Sequence, residues 1–178
     1  MISINVTLFF IFTISLLWAY SNYFKRLAFV GNAVVALLSS FSILILGLYY
    51  HKQFETFLFF SVLSFLMSLI REIIKDMEDI KGDEQHGCKT LPIVIGIPKT
   101  KRIIYVILVA LIGYFSIYQV TNYYLGHAIN VLLGLVTSYF AFKLFSADKK
   151  NDFDHLSSVS KVILIVGVIA IIFASKNL

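Results

Sequence analysis

Four acidic residues at helical spacing are the feature of this 178-residue chain with the clearest capacity for chemistry. If the preceding apolar helix continues, Glu72, Asp76, Asp79 and Asp83 fall within roughly 60° of one another on one face. Such neighbours repel, and the repulsion grows where a membrane lowers the effective dielectric constant. Carboxylate oxygens without a cysteine or histidine set favour Mg²⁺, which completes its shell with water and phosphate. The spacing therefore predicts a site for Mg²⁺ and a phosphorylated ligand, with a solvated loop of mixed charge as the alternative.

Basic residues flank the acidic stretch on both sides. Arg71 and Lys75 lie on the same stretch of predicted helix, and Lys89 follows it. Arginine and lysine form charge-assisted hydrogen bonds to phosphate oxygens. These three side chains are therefore candidates for the countercharge that a bound anion requires.

The composition indicates a membrane protein. Hydrophobic residues make up 59% of the chain, the mean hydropathy is +0.87 and only 14% of residues are charged; a soluble domain carries about 25%. The single cysteine, Cys88, excludes an internal disulfide. The net charge of +5 does not indicate a nucleic-acid partner, because the basic residues lie between apolar runs.

Six apolar runs are long enough to cross a bilayer, which takes about 20 helical residues. Backbone polar groups in lipid must bond internally, so these runs are predicted to be helices. The fold class is therefore an all-α, polytopic membrane protein with about six transmembrane helices, whereas residues 146–158 are interpreted as a solvated loop. The runs lie near residues 2–20, 27–50, 54–74, 103–121, 125–145 and 160–176.

The distribution of positive charge predicts the topology. Of the 15 Lys and Arg residues, only Lys52 and Lys176 lie on one side of a six-span arrangement. All others fall in the loops 21–26, 71–102 and 143–161, which are therefore predicted to be cytoplasmic. The acidic stretch then lies at the cytoplasmic surface of a multi-pass protein, in the plasma membrane of a bacterium or archaeon.

Two segments resemble a known family. The pattern Asp76-x-x-Asp79-x-x-x-Asp83, preceded by Arg71-Glu72-x-x-Lys75 and followed by Lys89-Thr90-Leu91-Pro92, resembles the second aspartate-rich motif of UbiA-type intramembrane prenyltransferases. The segment YSNYFKRLAFVGN, residues 20–32, resembles the family's Tyr/Lys motif and the Gly-Asn that opens its next helix. Tyr20 and Lys25 are five apart, where the quinone-pathway branch has four. The chain is more similar to the branch that prenylates a prenylglyceryl phosphate, as a geranylgeranylglyceryl phosphate geranylgeranyltransferase does.

The resemblance implies a helical bundle around a cavity, with Mg²⁺ bound to the diphosphate of an isoprenoid donor. The allylic diphosphate ionises, and a lipid or aromatic acceptor captures the resulting cation. By position in the motifs, the resemblance assigns metal binding to Asp76, Asp79 and Asp83, diphosphate binding to Lys25, Arg71, Lys75 and Lys89, and the pocket to Tyr20 and Asn32.

The sequence departs from the family pattern at its first aspartate motif, because no aspartate precedes Asp76. The six spans would correspond to family helices four to nine, with residues 1–178 forming one membrane domain. We therefore expect little transferase activity from this chain alone. Two alternatives stay open: a non-catalytic or split-enzyme subunit that needs a separate amino-terminal chain, and a membrane transporter. A transporter predicts ionisable residues at mid-membrane depth, whereas the span centres are nearly free of them.

Overall fold

The computed structural model describes residues 4–49, 54–122 and 127–176. Within these ranges every regular element is helical, which confirms the predicted all-α class. The elements are α1 (Ile4–Asn22), a 3₁₀ turn (Phe24–Arg26), α2 (Val30–Tyr49), α3 (Phe54–Glu78), α4 (Ile80–Gln85), α5 (Leu91–Ile95), α6 (Ile97–Asn122), α7 (His127–Ser146) and α8 (Lys150–Lys176).

The long helices follow the predicted apolar runs. Four are long and apolar enough to cross a membrane: α2, α3, the part of α6 from Ile97 to Tyr118, and the part of α8 from Lys150 to Ile171. Helix α1 contains a shorter apolar stretch, Val6–Asn22. Small parts of the predicted spans 2–20, 27–50 and 125–145 lie outside the described residues.

Helix α3 lies at the centre of the bundle and packs against α2, α6 and α8. Its Ile70, Ile73 and Ile74 are fully buried, at the i, i+3, i+4 spacing of a core-facing helical stripe. They pack with Ile104 of α6 and Leu156 of α8 in one hydrophobic core. This packing fixes the rotation of α3, so Glu72 and Asp76 lie on a face only partly covered by neighbours.

The expectation of one continuous helix through the acidic stretch was wrong. Helix α3 ends at Glu78, and a separate helix α4 begins at Ile80. Asp79 stands between them with φ −114° and ψ 30°, away from α-helical values. Its side chain makes no capping hydrogen bond, so the backbone angles alone take Asp79 out of the helix. Asp79 therefore leaves the helical face that carries Asp76.

The interpretation of residues 146–158 as a solvated loop was also wrong. Helix α8 begins at Lys150, because the Asp152 carboxylate satisfies free backbone donors at its start. Its Oδ2 accepts hydrogen bonds from the N–H groups of Asp148 at 3.1 Å and Lys149 at 2.9 Å. Phe153, one residue further on, is buried in the core and anchors this first turn.

Candidate functional site

A small polar cavity of about 40 Å³ brings the two predicted segments together. From the first segment it is lined by Tyr20, Lys25 and Asn32, and from the second by Asp76. Four residues that the sequence assigned to one site therefore share one cavity, although Asp76 lies more than 40 positions from the other three. Glu72, one of the four acids at helical spacing, also lines it, as does Thr90, to which the sequence assigned no role.

Asn32 and Asp76 form the direct link between the two segments. Asn32 Nδ2 donates a hydrogen bond to Asp76 Oδ2 at 2.8 Å, from α2 to α3. Asn32 is buried, at 7% exposure, so this bond also satisfies a polar group that would otherwise be costly to bury. The other carboxylate oxygen, Asp76 Oδ1, makes no hydrogen bond within the described residues. The arrangement orients the carboxylate while leaving one oxygen for a ligand.

The chain that carries Lys25 is held tightly against the start of α2. A Cβ on Gly31 would lie 2.9 Å from the backbone oxygen of Phe24, so only glycine permits this approach. Phe29 has φ +63°, a left-handed conformation that costs about 1–3 kcal/mol in a residue other than glycine. The Lys89 N–H donates to the Arg26 oxygen at 3.2 Å, which ties the loop before α5 to the same turn.

Two of the predicted diphosphate-binding residues pair with Glu72. Arg71 Nη1 lies 2.6 Å from Glu72 Oε1, and Lys75 Nζ lies 3.5 Å from Glu72 Oε2. Arg71 Nε is buried and has no hydrogen-bond partner within the described part of the chain. Glu72 lines the cavity and pairs with both cations, which do not line it themselves. Its position four residues before Asp76 is the signal that points to it.

Asp79 lies apart from the polar cavity. Its side chain is 64% exposed, and Oδ1 lies 3.9 Å from Lys150 Nζ at the start of α8. Its carboxylate also folds over Gly82, where a Cβ would lie 2.7 Å from either oxygen. The structure thus places the predicted metal ligand Asp79 beside a lysine of another helix and does not bring it to the cavity.

Asp83 lies on α4, close to the cavity residues Thr90 and Lys25. Burial is the main cause that raises the pKa of this carboxyl above its ordinary value of 3.8. The Thr90 hydroxyl, His86 and Lys25 act in the opposite direction, and the neighbouring charge of Asp79 raises the pKa further. The Asp83 charge also acts on Asp76, so these two acids face a common region.

The donor set fits a magnesium ion held jointly with a phosphorylated ligand. Within the described residues no group of three or more His, Cys, Asp or Glu side chains converges closely enough to hold a metal by itself. Magnesium does not need such a cage, since it commonly takes one or two carboxylates and completes its shell with phosphates and water. Asp76 and Asp83 would supply the carboxylates, and Lys25, Arg71 and Lys75 the countercharge. Lys89 is exposed at the rim.

A large apolar chamber of about 600 Å³ adjoins the polar cavity. On α3, Ser68 lines the chamber and Glu72, one turn later, lines the polar cavity. On α2, Ser39 lines the chamber and Val35, one turn earlier, lines the polar cavity. The remaining walls come from α6, α7 and α8 and include Leu111, Thr137 and Leu164. The site thus combines a charged pocket with an adjacent space for an apolar chain.

The two cavities lie within a bundle of apolar helices, which is the architecture of a polytopic membrane protein. A comparison with protein families identifies the class more closely. The profile of the UbiA prenyltransferase family matches residues 1–173. The chain therefore belongs to the UbiA prenyltransferase family, which confirms the resemblance seen in the two motifs.

Two similar curated proteins carry the same enzyme name. The chain is 30% identical over 157 residues to the digeranylgeranylglyceryl phosphate synthase of Methanosphaera stadtmanae, a match over 85% of this chain and 56% of that protein. It is 32% identical over 128 residues to the synthase of the same name from Sulfolobus acidocaldarius, over 72% of this chain and 45% of that one. The chain thus spans about half the length of these relatives.

A solved structure shares the fold. Its title is "Structural and mechanistic insights into the biosynthesis of Digeranylgeranylglyceryl phosphate synthase in membranes". The two superpose with a TM-score of 0.86 at 22% sequence identity, over 99% of this chain and 63% of the other. This likeness supports the helical arrangement described above.

Proposed function

We propose that this chain takes part in transferring a prenyl group from an isoprenoid diphosphate to the free hydroxyl of a prenylglyceryl phosphate, with Mg²⁺. The observation that carries the proposal is that residues lining the polar cavity and residues lining the apolar chamber lie one helical turn apart on both α2 and α3. A prenyl diphosphate has the same two parts, a charged head and an apolar tail. The choice of a phosphorylated lipid over an aromatic acceptor rests on the names of the relatives.

In the proposed reaction, the bond between the first prenyl carbon and the diphosphate oxygen breaks, and the leaving diphosphate takes the electron pair. The acceptor hydroxyl oxygen then bonds to that carbon and loses its proton. Lys25, Arg71 and Lys75 stabilise the charge that develops on the leaving group. Asn32 orients the Asp76 carboxylate, and the chamber keeps water away from the allylic cation. Bound Mg²⁺ would supply further electrostatic stabilisation of the diphosphate.

The test of this proposal is a transfer assay in proteoliposomes. Because little activity is expected from this chain alone, it is coexpressed with a segment of a relative that carries the first aspartate motif. The sample is supplied with geranylgeranyl diphosphate, geranylgeranylglyceryl phosphate and Mg²⁺, and the diether product is measured by mass spectrometry. We expect Asp76→Asn to abolish the product, whereas Asp154→Asn, an exposed acid on α8, should not change it. Equal product from wild type and Asp76→Asn would contradict the proposed role of the cavity.

A second candidate is a subunit that needs a separate amino-terminal chain for catalysis. Within residues 1–178 no aspartate precedes Asp76, whereas the resemblance implies a first aspartate motif. Coexpression with a segment of a relative that carries this motif tests the idea. If product forms only in the coexpressed sample, this chain acts as part of a two-chain enzyme; if it forms equally without the added segment, this candidate is rejected.

We further propose that the polar cavity opens toward the cytoplasm, as the charge distribution predicts. Cys88, the single cysteine, lies partly exposed in the loop between α4 and α5. A membrane-impermeant maleimide should therefore label inverted vesicles and spare right-side-out vesicles. The opposite pattern would contradict the orientation.

A further inference from the structure

The Thr90 side chain is in an unusual position for its sequence context. Thr90 is the N-cap residue of α5, with extended backbone angles of φ −76° and ψ 162°. A threonine there ordinarily accepts a hydrogen bond from a backbone N–H in the first helical turn, which contributes about 1 kcal/mol. Thr90 makes no such bond. Pro92, the second residue of α5, has no N–H, and the Ile93 N–H donates to the Thr90 backbone oxygen at 3.1 Å instead.

The hydroxyl is also buried without a partner. Thr90 is 8% exposed, and its Oγ1 has no hydrogen-bond partner within the described part of the chain. It lies near enough to Asp83 to lower the pKa of that carboxyl, but the two make no hydrogen bond of ordinary geometry. An unpaired buried hydroxyl costs about 1–3 kcal/mol. The Thr90 hydroxyl therefore stays unsatisfied by the described part of the chain.

The residue lines the polar cavity, in company with Lys25, Asn32 and Asp76. A hydroxyl that neither caps its helix nor finds a protein partner remains available to a ligand in that cavity. The cationic and carboxylate neighbours favour a phosphoryl group with an associated cation there. We infer that the Thr90 hydroxyl donates a hydrogen bond to a phosphoryl oxygen of the substrate. The inference rests on the proposed function and adds a binding residue to it.

The phosphoryl oxygen belongs either to the diphosphate of the donor or to the phosphate of the glycerol acceptor. Calorimetry on the full chain in nanodiscs separates them, with inorganic pyrophosphate plus Mg²⁺ in one arm and glycerol 3-phosphate plus Mg²⁺ in the other. Thr90→Val, which keeps the shape and removes the hydroxyl, should weaken one of the two about 10- to 100-fold. Thr90→Ser, which keeps the hydroxyl, should bind within about threefold of wild type.

The unfolding temperature of Thr90→Val is a second measurement, and it should not fall although the ligand affinity does. Because Thr90→Val removes an unpaired buried hydroxyl, the ligand-free variant should unfold at the same temperature as wild type or a higher one. A lower unfolding temperature would show that the hydroxyl has a structural partner and would overturn the inference. Unchanged affinity of Thr90→Val for both probes, with wild type binding at least one, would overturn it while leaving the proposed function intact. If wild type binds neither probe, the proposed function fails as well.

Discussion

Asn32 of α2 and Asp76 of α3 are joined by a hydrogen bond of 2.8 Å across the polar cavity, although they lie 44 positions apart in the chain. The bond links the two segments that resemble UbiA motifs. It also orients the Asp76 carboxylate, which we propose as a metal ligand. Because Asn32 is buried and Asp76 is partly buried, the bond is protected from exchange with water. Asn32 orients the Asp76 carboxylate, and Asp76 in turn satisfies the buried amide of Asn32.

Removing this amide should affect both stability and binding. Asn32→Ala leaves the Asp76 carboxylate without its neutral donor, which should lower the free energy of unfolding by about 1–3 kcal/mol. Unfolding in mixed detergent–SDS micelles measures this change, and titration with Mg²⁺ pyrophosphate measures the accompanying loss of affinity. Asn22→Ala is the matched control, since Asn22 is exposed and bonds only to the Trp18 oxygen of its own helix. Equal effects of the two substitutions would contradict the role of the Asn32–Asp76 bond.

The position of Asp79 can be tested through its neighbour Gly82. In Gly82→Ala the new methyl group would lie 2.7 Å from the Asp79 oxygens, so this flexible carboxylate should move. We expect Mg²⁺ affinity to fall if Asp79 contributes to the site in the loaded protein. Gly113→Ala on α6 is the control, because nothing lies within 4 Å of its added Cβ. Both substitutions should leave the free energy of unfolding equal or higher by about 0.5–1 kcal/mol. Unchanged Mg²⁺ affinity in Gly82→Ala would argue that Asp79 is a surface residue paired with Lys150.

The raised pKa of the Asp83 carboxyl should make the free energy of unfolding depend on pH. Burial raises the pKa of this carboxyl in the folded chain above 3.8, so the folded state binds its proton more tightly than the unfolded state. The contribution of Asp83 to stability is therefore most favourable below the ordinary pKa and is lost as pH rises through the raised value.

Asp83→Asn removes this contribution. In the presence of a chelator, the variant should become more stable than wild type as pH rises above 3.8 and through the raised pKa of Asp83. Unfolding curves at several pH values check this, with the exposed Glu84→Gln as a control for net charge. Parallel pH profiles for wild type and Asp83→Asn would contradict the assignment.

The far end of the chamber should set the preferred length of the prenyl chain. Phe60 and Phe115 line the chamber and pack with Phe59 in an aromatic cluster, at centroid distances of 5.3 and 6.2 Å from it. Phe60 precedes Asp76 by 16 residues of α3, which places this end roughly 24 Å along the helix from the carboxylate.

Phe115→Ala should lengthen the chamber. The ratio of kcat/KM for geranylfarnesyl over geranylgeranyl diphosphate should rise, by about tenfold. Phe142→Ala, on an exposed part of α7, is the control and should leave the ratio unchanged. An unchanged ratio in Phe115→Ala would show that the aromatic cluster does not limit chain length.

Much of the fold follows from the sequence because membrane helices need long apolar runs, and the positions of α2, α3 and α6 show this. The extent of α8 could not be predicted from hydropathy. Its first turns are polar on the outside, and they form because Asp152 binds backbone N–H groups and Phe153 is buried. Local capping and a single buried aromatic ring here outweigh the polar composition.

The site was predicted only in part, for a related reason. Helical spacing correctly joined Glu72 and Asp76 on one face, and the motif resemblance joined Tyr20, Lys25 and Asn32 to them. The spacing argument failed at Asp79, where the backbone leaves the helix. Thr90 was missed because its role depends on which way a capping side chain turns, and tertiary packing decides that direction. A threonine at a helix N-cap, directly after Lys89, was the only sequence signal for this position.

The central claim is that Asp76, oriented by Asn32, holds the magnesium-bound diphosphate of a prenyl donor. The most direct measurement is calorimetric binding of a non-hydrolysable geranylgeranyl diphosphate analogue to the chain in nanodiscs, with and without Mg²⁺. We predict binding by wild type and Asp154→Asn that requires Mg²⁺, and a loss of the Mg²⁺-dependent part in Asp76→Asn. Mg²⁺-dependent binding of equal strength in Asp76→Asn and wild type would contradict the account.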